Sequence, residues 1–212
     1  MRIDCLTGGA FATNSYFVIN DLTKECILID TFEQTSAILE YLAKNGLKCV
    51  AVLLTHGHFD HIGSVKQLQD MGAKVYMHKD DIWKIDTPGY MARMYGYDIK
   101  HFDVDYVIEK DETLDIMGLK VKVIQTPGHT EGGVCFVIDE NIFSGDTIFR
   151  ASYGRTDFED GDFQKLKLSI KKIFNLEGEY MIFPGHGEIT NSYFERVHNP
   201  ILVDTEDIEE DF

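Results

Sequence analysis

Three histidines and an aspartate fall within the six consecutive residues His56-Gly57-His58-Phe59-Asp60-His61, one residue after the apolar run Val50-Ala51-Val52-Leu53-Leu54. The run reads as a β-strand, which places the imidazoles and the carboxylate at a strand end. Their nitrogen and oxygen atoms are donors that a borderline cation such as Zn(II) accepts, and a cluster of unpaired imidazoles has no comparable packing rationale there. Side chains on so short a turn diverge, so the turn alone cannot enclose an ion. The chain must fold so that further donors reach the same strand end.

Three later positions fit that need. His129 in Thr126-Pro127-Gly128-His129-Thr130, Asp146 in Phe143-Ser144-Gly145-Asp146-Thr147 and His186 in Phe183-Pro184-Gly185-His186-Gly187 each follow or end an apolar, β-prone run. Glycine or proline beside each is the composition of a strand-to-loop turn. Seven potential donors exceed what one tetrahedral ion takes and suit a two-metal centre with positions open to water.

The string His56-Gly57-His58-Phe59-Asp60-His61, followed in order by His129, Asp146 and His186, resembles the metallo-β-lactamase superfamily. Asn14-Ser15-Tyr16, Gly154-Arg155-Thr156-Asp157 and Asn199-Pro200 narrow the resemblance to the short bacterial glyoxalase II-like branch, and it runs from Asn14 to Pro200. It implies an α/β fold, the four-layer αβ/βα sandwich. It also implies a ligand assignment: His56, His58 and His129 for the first metal, Asp60, His61 and His186 for the second, and Asp146 bridging. Two divalent cations are then expected, Zn(II) first, with iron or manganese suited to the same donors. Asp60 would orient a metal-bound hydroxide, and Thr55 and Thr130 would hold ligand rings in place.

The activity implied is metal-dependent hydrolysis of an acyl-glutathione-type thioester such as S-lactoylglutathione, a small-molecule acyl-thiol whose thiolate leaves readily because a thiol has a pKa near about 8.5. The scaffold also serves other esters, lactones and amides, and fold alone does not choose among them. Persulfide dioxygenases resemble it too, with one iron on the counterparts of His56, His129 and Asp146. Flavin-partnered di-iron members replace the second motif histidine by glutamate, whereas His58 is retained here. A metal-binding regulatory protein without turnover is disfavoured by the intact ligand set. Full-length glyoxalase II carries an additional C-terminal helical region that helps bind glutathione. The stretch after Pro200 is too short for it, so either the thiol half of a substrate is expected to be held differently or a different acyl compound is the substrate.

Length and composition agree with one soluble enzyme domain over 1–212, since 212 residues with 44% hydrophobic content can bury a large core. Twenty basic against 36 acidic residues give a formal charge of −16, which repels a polyphosphate backbone, so no nucleic acid partner is expected. Part of that charge lies in an acidic tail from about 204, read as a solvated end. No run approaches the roughly 20 apolar residues of a membrane span, and Met1-Arg2-Ile3-Asp4 opens no signal pattern, so a cytoplasmic location is expected. Cys5, Cys26, Cys49 and Cys135 lie in separate strand-like runs and read as buried thiols.

Strands are expected near 2–6, 15–19, 25–30, 50–54, 74–77, 119–125, 134–138, 141–143 and 180–183, and helices over 34–44, 62–71 and 163–174. The aromatic-rich stretch 83–102 reads as a helical or looped insertion over the site, where Tyr90, Met91, Met94, Tyr95 and Tyr97 either line a pocket or pack beneath the loop. Two rounds of strands followed by helices suggest two packed sheets with helices outside. Arg155 is a substrate-binding candidate, its planar fork suiting a carboxylate, with a structural salt bridge as the competing role. His78, His101 and His198 lack companion ligand motifs and read as surface or turn-stabilising histidines.

Overall fold

Alternate residues of each central strand point to opposite faces, and here both faces are apolar. In β2 (Thr13–Asn20), β3 (Glu25–Ile29) and β4 (Lys48–Leu53), the side chains of Tyr16, Val18, Ile27, Ile29, Ala51 and Leu53 face one way. Phe17, Ile19, Cys26, Leu28 and Val52 face the other. Strands buried on both faces must be covered twice, and the computed structural model, which describes residues 1–202, shows how. The acidic tail from about 204 lies outside the described residues.

One six-stranded sheet has the order β1-β2-β3-β4-β5-β6, with β1 (Arg2–Gly8), β5 (Lys74–His78) and β6 (Tyr106–Ile108) completing it. Pairing is antiparallel from β1 to β3 and parallel from β3 to β6. The second sheet has the order β14-β13-β10-β9-β8-β7, comprising β7 (Glu112–Ile116), β8 (Leu119–Gln125), β9 (Val134–Ile138), β10 (Asn141–Gly145), β13 (Met181–Pro184) and β14 (Thr190–Asn191). The inner faces meet in a cluster that joins Tyr16, Ile27 and Leu53 to Val123, Phe136, Phe143 and Phe183.

Helices close both outer faces. Ile38 and Leu42 of α1 (Thr35–Asn45) and Val65 and Leu68 of α2 (Val65–Asp70) cover the first sheet. Leu166, Ile170 and Ile173 of α4 (Phe163–Phe174) cover the second, spaced four and three residues apart on one helical face. Between α2 and α4 lies the short α3 (Gly89–Met94). The layers run helix, sheet, sheet, helix, which is the αβ/βα sandwich. Gly46 sits at φ 62° after α1, so that the Leu47 N–H donates back to Leu42 O at 2.9 Å and the chain turns directly into β4.

Several boundaries differ from the sequence reading. The helix expected over 62–71 starts at Val65, because the Thr31 N–H donates to His61 O, the Gly63 N–H to Thr31 O and the Ser64 N–H to Thr31 Oγ1, holding the preceding residues against the end of β3. The short β6, β7, β14, the hairpin β11 (Ile148–Phe149) with β12 (Ser152–Tyr153) and α5 (Ser192–His198) carry too little periodicity to be read from sequence. Cys26, Cys49 and Cys135 are buried as expected, but Cys5 is exposed, because β1 is an edge strand.

β3, β4 and β5 run parallel, and β8, β10 and β13 share one direction in the facing sheet, so their carboxyl ends gather along a common edge. The inter-sheet core should be the costly place to cut. Ile27→Ala is expected to lower unfolding free energy by about 2–5 kcal/mol, while Leu168→Ala, at a side chain 68% exposed on α4, stays within about 0.5 kcal/mol; urea denaturation of both variants measures the contrast.

Candidate metal centre

The turn after β4 and the loops after β8, β10 and β13 bring all seven sequence candidates together. His56, His58 and His129 form one trio and Asp60, His61 and His186 another, with donor atoms in each within 4.8 Å of one another. Asp146 lies between them: its Oδ2 is 3.4 Å from His129 Nε2 and 3.5 Å from His186 Nε2, and its Oδ1 is 3.4 Å from His61 Nε2. Asp60 Oδ2 is 3.4 Å from His186 Nε2 and accepts a hydrogen bond from Thr13 Oγ1.

The free atoms fit cations. His56 Nε2 and Asp146 Oδ1 are buried without a hydrogen-bond partner. His58 Nδ1 and His129 Nε2 face each other at 3.0 Å, and His61 Nε2 and His186 Nε2 at 3.2 Å. Two lone pairs at that separation repel unless a proton or a cation lies between them. The opposite nitrogens of four of these histidines are already committed. His61 Nδ1 donates to Asp30 Oδ2 (2.9 Å), His129 Nδ1 to Arg155 O (2.8 Å) and His186 Nδ1 to Phe11 O (3.0 Å). His56 Nδ1 meets Thr55 Oγ1 at 3.0 Å, and that hydroxyl donates to Asp30 Oδ2. These bonds fix tautomers with Nε2 directed into the site.

Charge follows burial. Burial pushes His56 far below the ordinary imidazole range, with His61 adding repulsion, and burial with repulsion from His129 brings His58 down to about 3. For His61 and His186 burial acts the same way but loses to the carboxylates: Asp146, Asp60 and Asp30 raise His61 to about 8, and hydrogen bonds to Asp146 and Asp60 raise His186 to about 11. Burial opposes ionisation of Asp146, yet His61, His186 and His129 hold it well below the usual carboxylate range. The carboxylates thus favour positive charge on His61 and His186, where a cation would bring it.

Two buried carboxylates outside the candidate set hold the loops. Asp30, directly after β3 at φ 54°, accepts the Thr55 N–H and Thr55 Oγ1–H and orients His61. Asp81 accepts the Gly57 N–H (2.7 Å), Thr130 Oγ1–H (2.8 Å) and Gly132 N–H (2.9 Å), tying the histidine turn to the loop of His129. Burial raises its pKa, against the pull of Lys84 and these donors. Thr55 therefore supports a ligand ring, whereas Thr130 serves Asp81. An acid ending the run Ile27-Leu28-Ile29 was a signal for Asp30, while Asp81 had none. The His186 loop is fastened to β2 by Asn14 Nδ2, which donates to Pro184 O and Gly187 O, and by Tyr16 Oη, which donates to Pro184 O. Gly185 must lack a side chain, since a Cβ there would come within 2.3 Å of Asp146 Oδ1.

Above the cluster opens a cavity of about 690 Å3 lined by Phe11, Phe59, Trp83, Tyr90, Met91, Phe149 and Phe158 among others. Tyr90 and Met91 thus line it, while Tyr95 and Tyr97 pack on Phe11 and Met94 is exposed. Arg155 lies at its rim, 58% exposed, with Nε and Nη2 each 2.6 Å from an Asp157 oxygen and the guanidinium 4.6 Å from the Phe158 ring centroid. His78 caps the 3-10 turn Lys79–Ile85 by accepting from the Asp80 N–H, His101 pairs with Asp86 and His198 packs on Phe194, all away from the cluster.

Residues 8–186 match the metallo-β-lactamase superfamily. The chain belongs to this family. Within the superfamily it is 32% identical over 200 residues to the probable metallo-hydrolase YqgX of Bacillus subtilis (92% of this chain, 94% of the relative). It is 31% identical over 209 residues to the hydroxyacylglutathione hydrolase GloC of Haemophilus influenzae (95% and 98%). Among solved structures, the BLEG-1 B3 metallo-β-lactamase superposes with a TM-score of 0.86 at 32% identity, covering 95% of this chain and 100% of that one. TTHA1623 in a di-iron-bound form gives 0.82 at 33% identity, with 94% and 100% covered.

Because the carboxylates favour protonation of His61 and His186 and a cation must displace those protons, divalent metal binding at pH 7 is expected to release protons. Calorimetry in buffers of different ionisation enthalpy reads the number, and a heat independent of buffer refutes it. Asp30→Ala removes the acceptor behind His61 and is expected to weaken metal binding about 10–100-fold, as measured by competition with a chromophoric chelator.

Proposed function

We propose that this protein is a binuclear metallohydrolase that cleaves acyl thioesters of the acyl-glutathione type. The observation that carries the reading is the pair of donor trios joined by Asp146 at the floor of an aromatic cavity. The GloC relative, matched over nearly its whole length, supports the thioester. The complete second trio supplies the donors a binuclear hydrolase needs, and a mono-iron dioxygenase can carry the same residues without a second metal. Zinc is the cation we assign first, and the same donors suit iron or manganese. When bound, a pair of divalent cations supplies Lewis acidity toward the carbonyl and makes water a nucleophile near neutral pH.

The chain's own groups do the rest. Asp60, its second oxygen fixed by Thr13, accepts a hydrogen bond from the attacking water and directs its lone pair at the carbonyl carbon. The new carbon–oxygen bond forms as the water's proton passes to Asp60, the carbon–sulfur bond breaks with its electron pair passing to sulfur, and the carboxylic acid and thiolate leave, the thiolate taking up a proton from Asp60 or solvent. No general acid is needed for so stable a leaving group. We assign Arg155 at the rim to a carboxylate of the thiol half, which would take the place of Asp157 on the guanidinium fork.

Hydrolysis of S-lactoylglutathione, a lactone and a β-lactam by metal-loaded protein tests the reading: thioester turnover with about two metal equivalents supports it, and lactone or β-lactam turnover alone rejects it. Asp146→Ala is expected to cost more than about 100-fold in turnover and to lower metal content, beyond what loss of a supporting group costs. His198→Ala, remote from the cluster, is expected to change both less than about twofold.

A further inference from the structure

The cavity wall is unusual for a site that would hold only a small hydroxyacyl group. Trp83 and Tyr90 are large aromatics left 48% and 69% exposed, and both face the cavity together with Phe11, Phe59, Met91 and Phe149. Side chains of this size gain most when covered, and contiguous uncovered apolar surface marks a contact site. The lining offers one lysine and one arginine, and each is already matched by an acid: Lys84 Nζ lies 2.6 Å from Asp160 Oδ2 of the same wall, and Arg155 binds Asp157 beside it. Lys84, with its side chain only 5% exposed, cannot turn outward to meet a second anion. A glutathione-type thiol carries carboxylates, an ammonium and amides, and laying these against an aromatic wall without partners costs free energy. The apolar part of the substrate must therefore take the wall, and the polar thiol half must take the exposed rim.

We infer that the acyl half of the substrate is a bulky apolar group, a medium-length alkyl chain or an aryl ring, seated on the wall formed by Phe11, Trp83, Tyr90 and Met91. The inference rests on the thioesterase reading and names its substrate class. Burial of each added methylene is worth up to about a fourfold gain, and partial cover by an open wall brings that to roughly two- to threefold. A cavity of about 690 Å3 accommodates such a group with its thiol.

Two series test this on the metal-loaded protein. The first is kcat/KM for S-acetyl-, S-lactoyl-, S-hexanoyl- and S-benzoylglutathione, and the second is calorimetric Kd for the non-hydrolysable S-methyl-, S-propyl- and S-hexylglutathiones. Both are expected to favour the longer or aryl group, with S-hexyl binding more than about tenfold tighter than S-methyl. Trp83→Ala is expected to cut the hexyl-to-methyl affinity ratio at least about threefold, with metal content and circular dichroism checking that the fold is intact. Tyr90→Ala serves as the second variant should the first lose its metal. Equal affinities along the S-alkyl series overturn the inference whatever the turnover. Rising affinities with no thioester hydrolysed overturn the thioesterase reading and retain the apolar subsite.

Discussion

Asp30 is the group on which the rest of the site depends. It is buried, it ends β3, and its two oxygens take the backbone of Thr55, the hydroxyl of Thr55 and the Nδ1 of His61. Through Thr55 it also fixes His56. A buried carboxylate without such donors would be expensive, so its bonds are strongly enforced. One side chain thus sets the ring orientation of a histidine in each trio, across the junction of two neighbouring parallel strands.

The sandwich supplies what Asp30 cannot. Donors from two sheets meet only because the sheets pack face to face with their carboxyl ends on one edge, and that packing comes from the cluster around Ile27, Leu53, Phe136 and Phe143. Asp81 and Asn14 then act as ties between loops that the core leaves free: Asp81 links the β4 turn to the β8 loop, and Asn14 links β2 to the His186 loop. The ties run between elements distant in sequence, so geometry at the metal centre is a property of the whole domain. Gly185 shows how tight the result is, since no side chain fits between Asp146 and His61 there.

The segment from Trp83 to Met91 has a different character. It adds little to either outer core and spends its aromatics on the cavity, with Ile85 alone among its apolar side chains joining the first sheet's cluster. The site therefore divides into a floor of donors held by buried acids and an apolar wall carried in large part by a short helical excursion, so donors and much of the wall come from separate parts of the chain.

The sequence by itself determined the donors, the central strands and the sandwich. A cluster of imidazoles and a carboxylate at one strand end has no comparable packing rationale, and strands buried on both faces write themselves as continuous apolar runs such as Val50-Ala51-Val52-Leu53-Leu54. It also limited Arg155 to two roles, because a guanidinium near the site can meet either a substrate acid or one of its own. Only the tertiary structure decided that Asp157 occupies that fork in this state, that Asp81 and not a ligand ring engages Thr130, and that Cys5 lies on an open edge. The Thr130 outcome depends on which loops become neighbours across the two sheets and that of Cys5 on its strand's place at the sheet edge, neither of which local residue patterns record, while Arg155 and Asp157 are only two residues apart and the conformation of their loop sets the pair. The short strands and α5 escaped because strands of two residues such as β11, β12 and β14 have no period to read, and the hydrogen bonds of these elements come from partners that the fold brings to them.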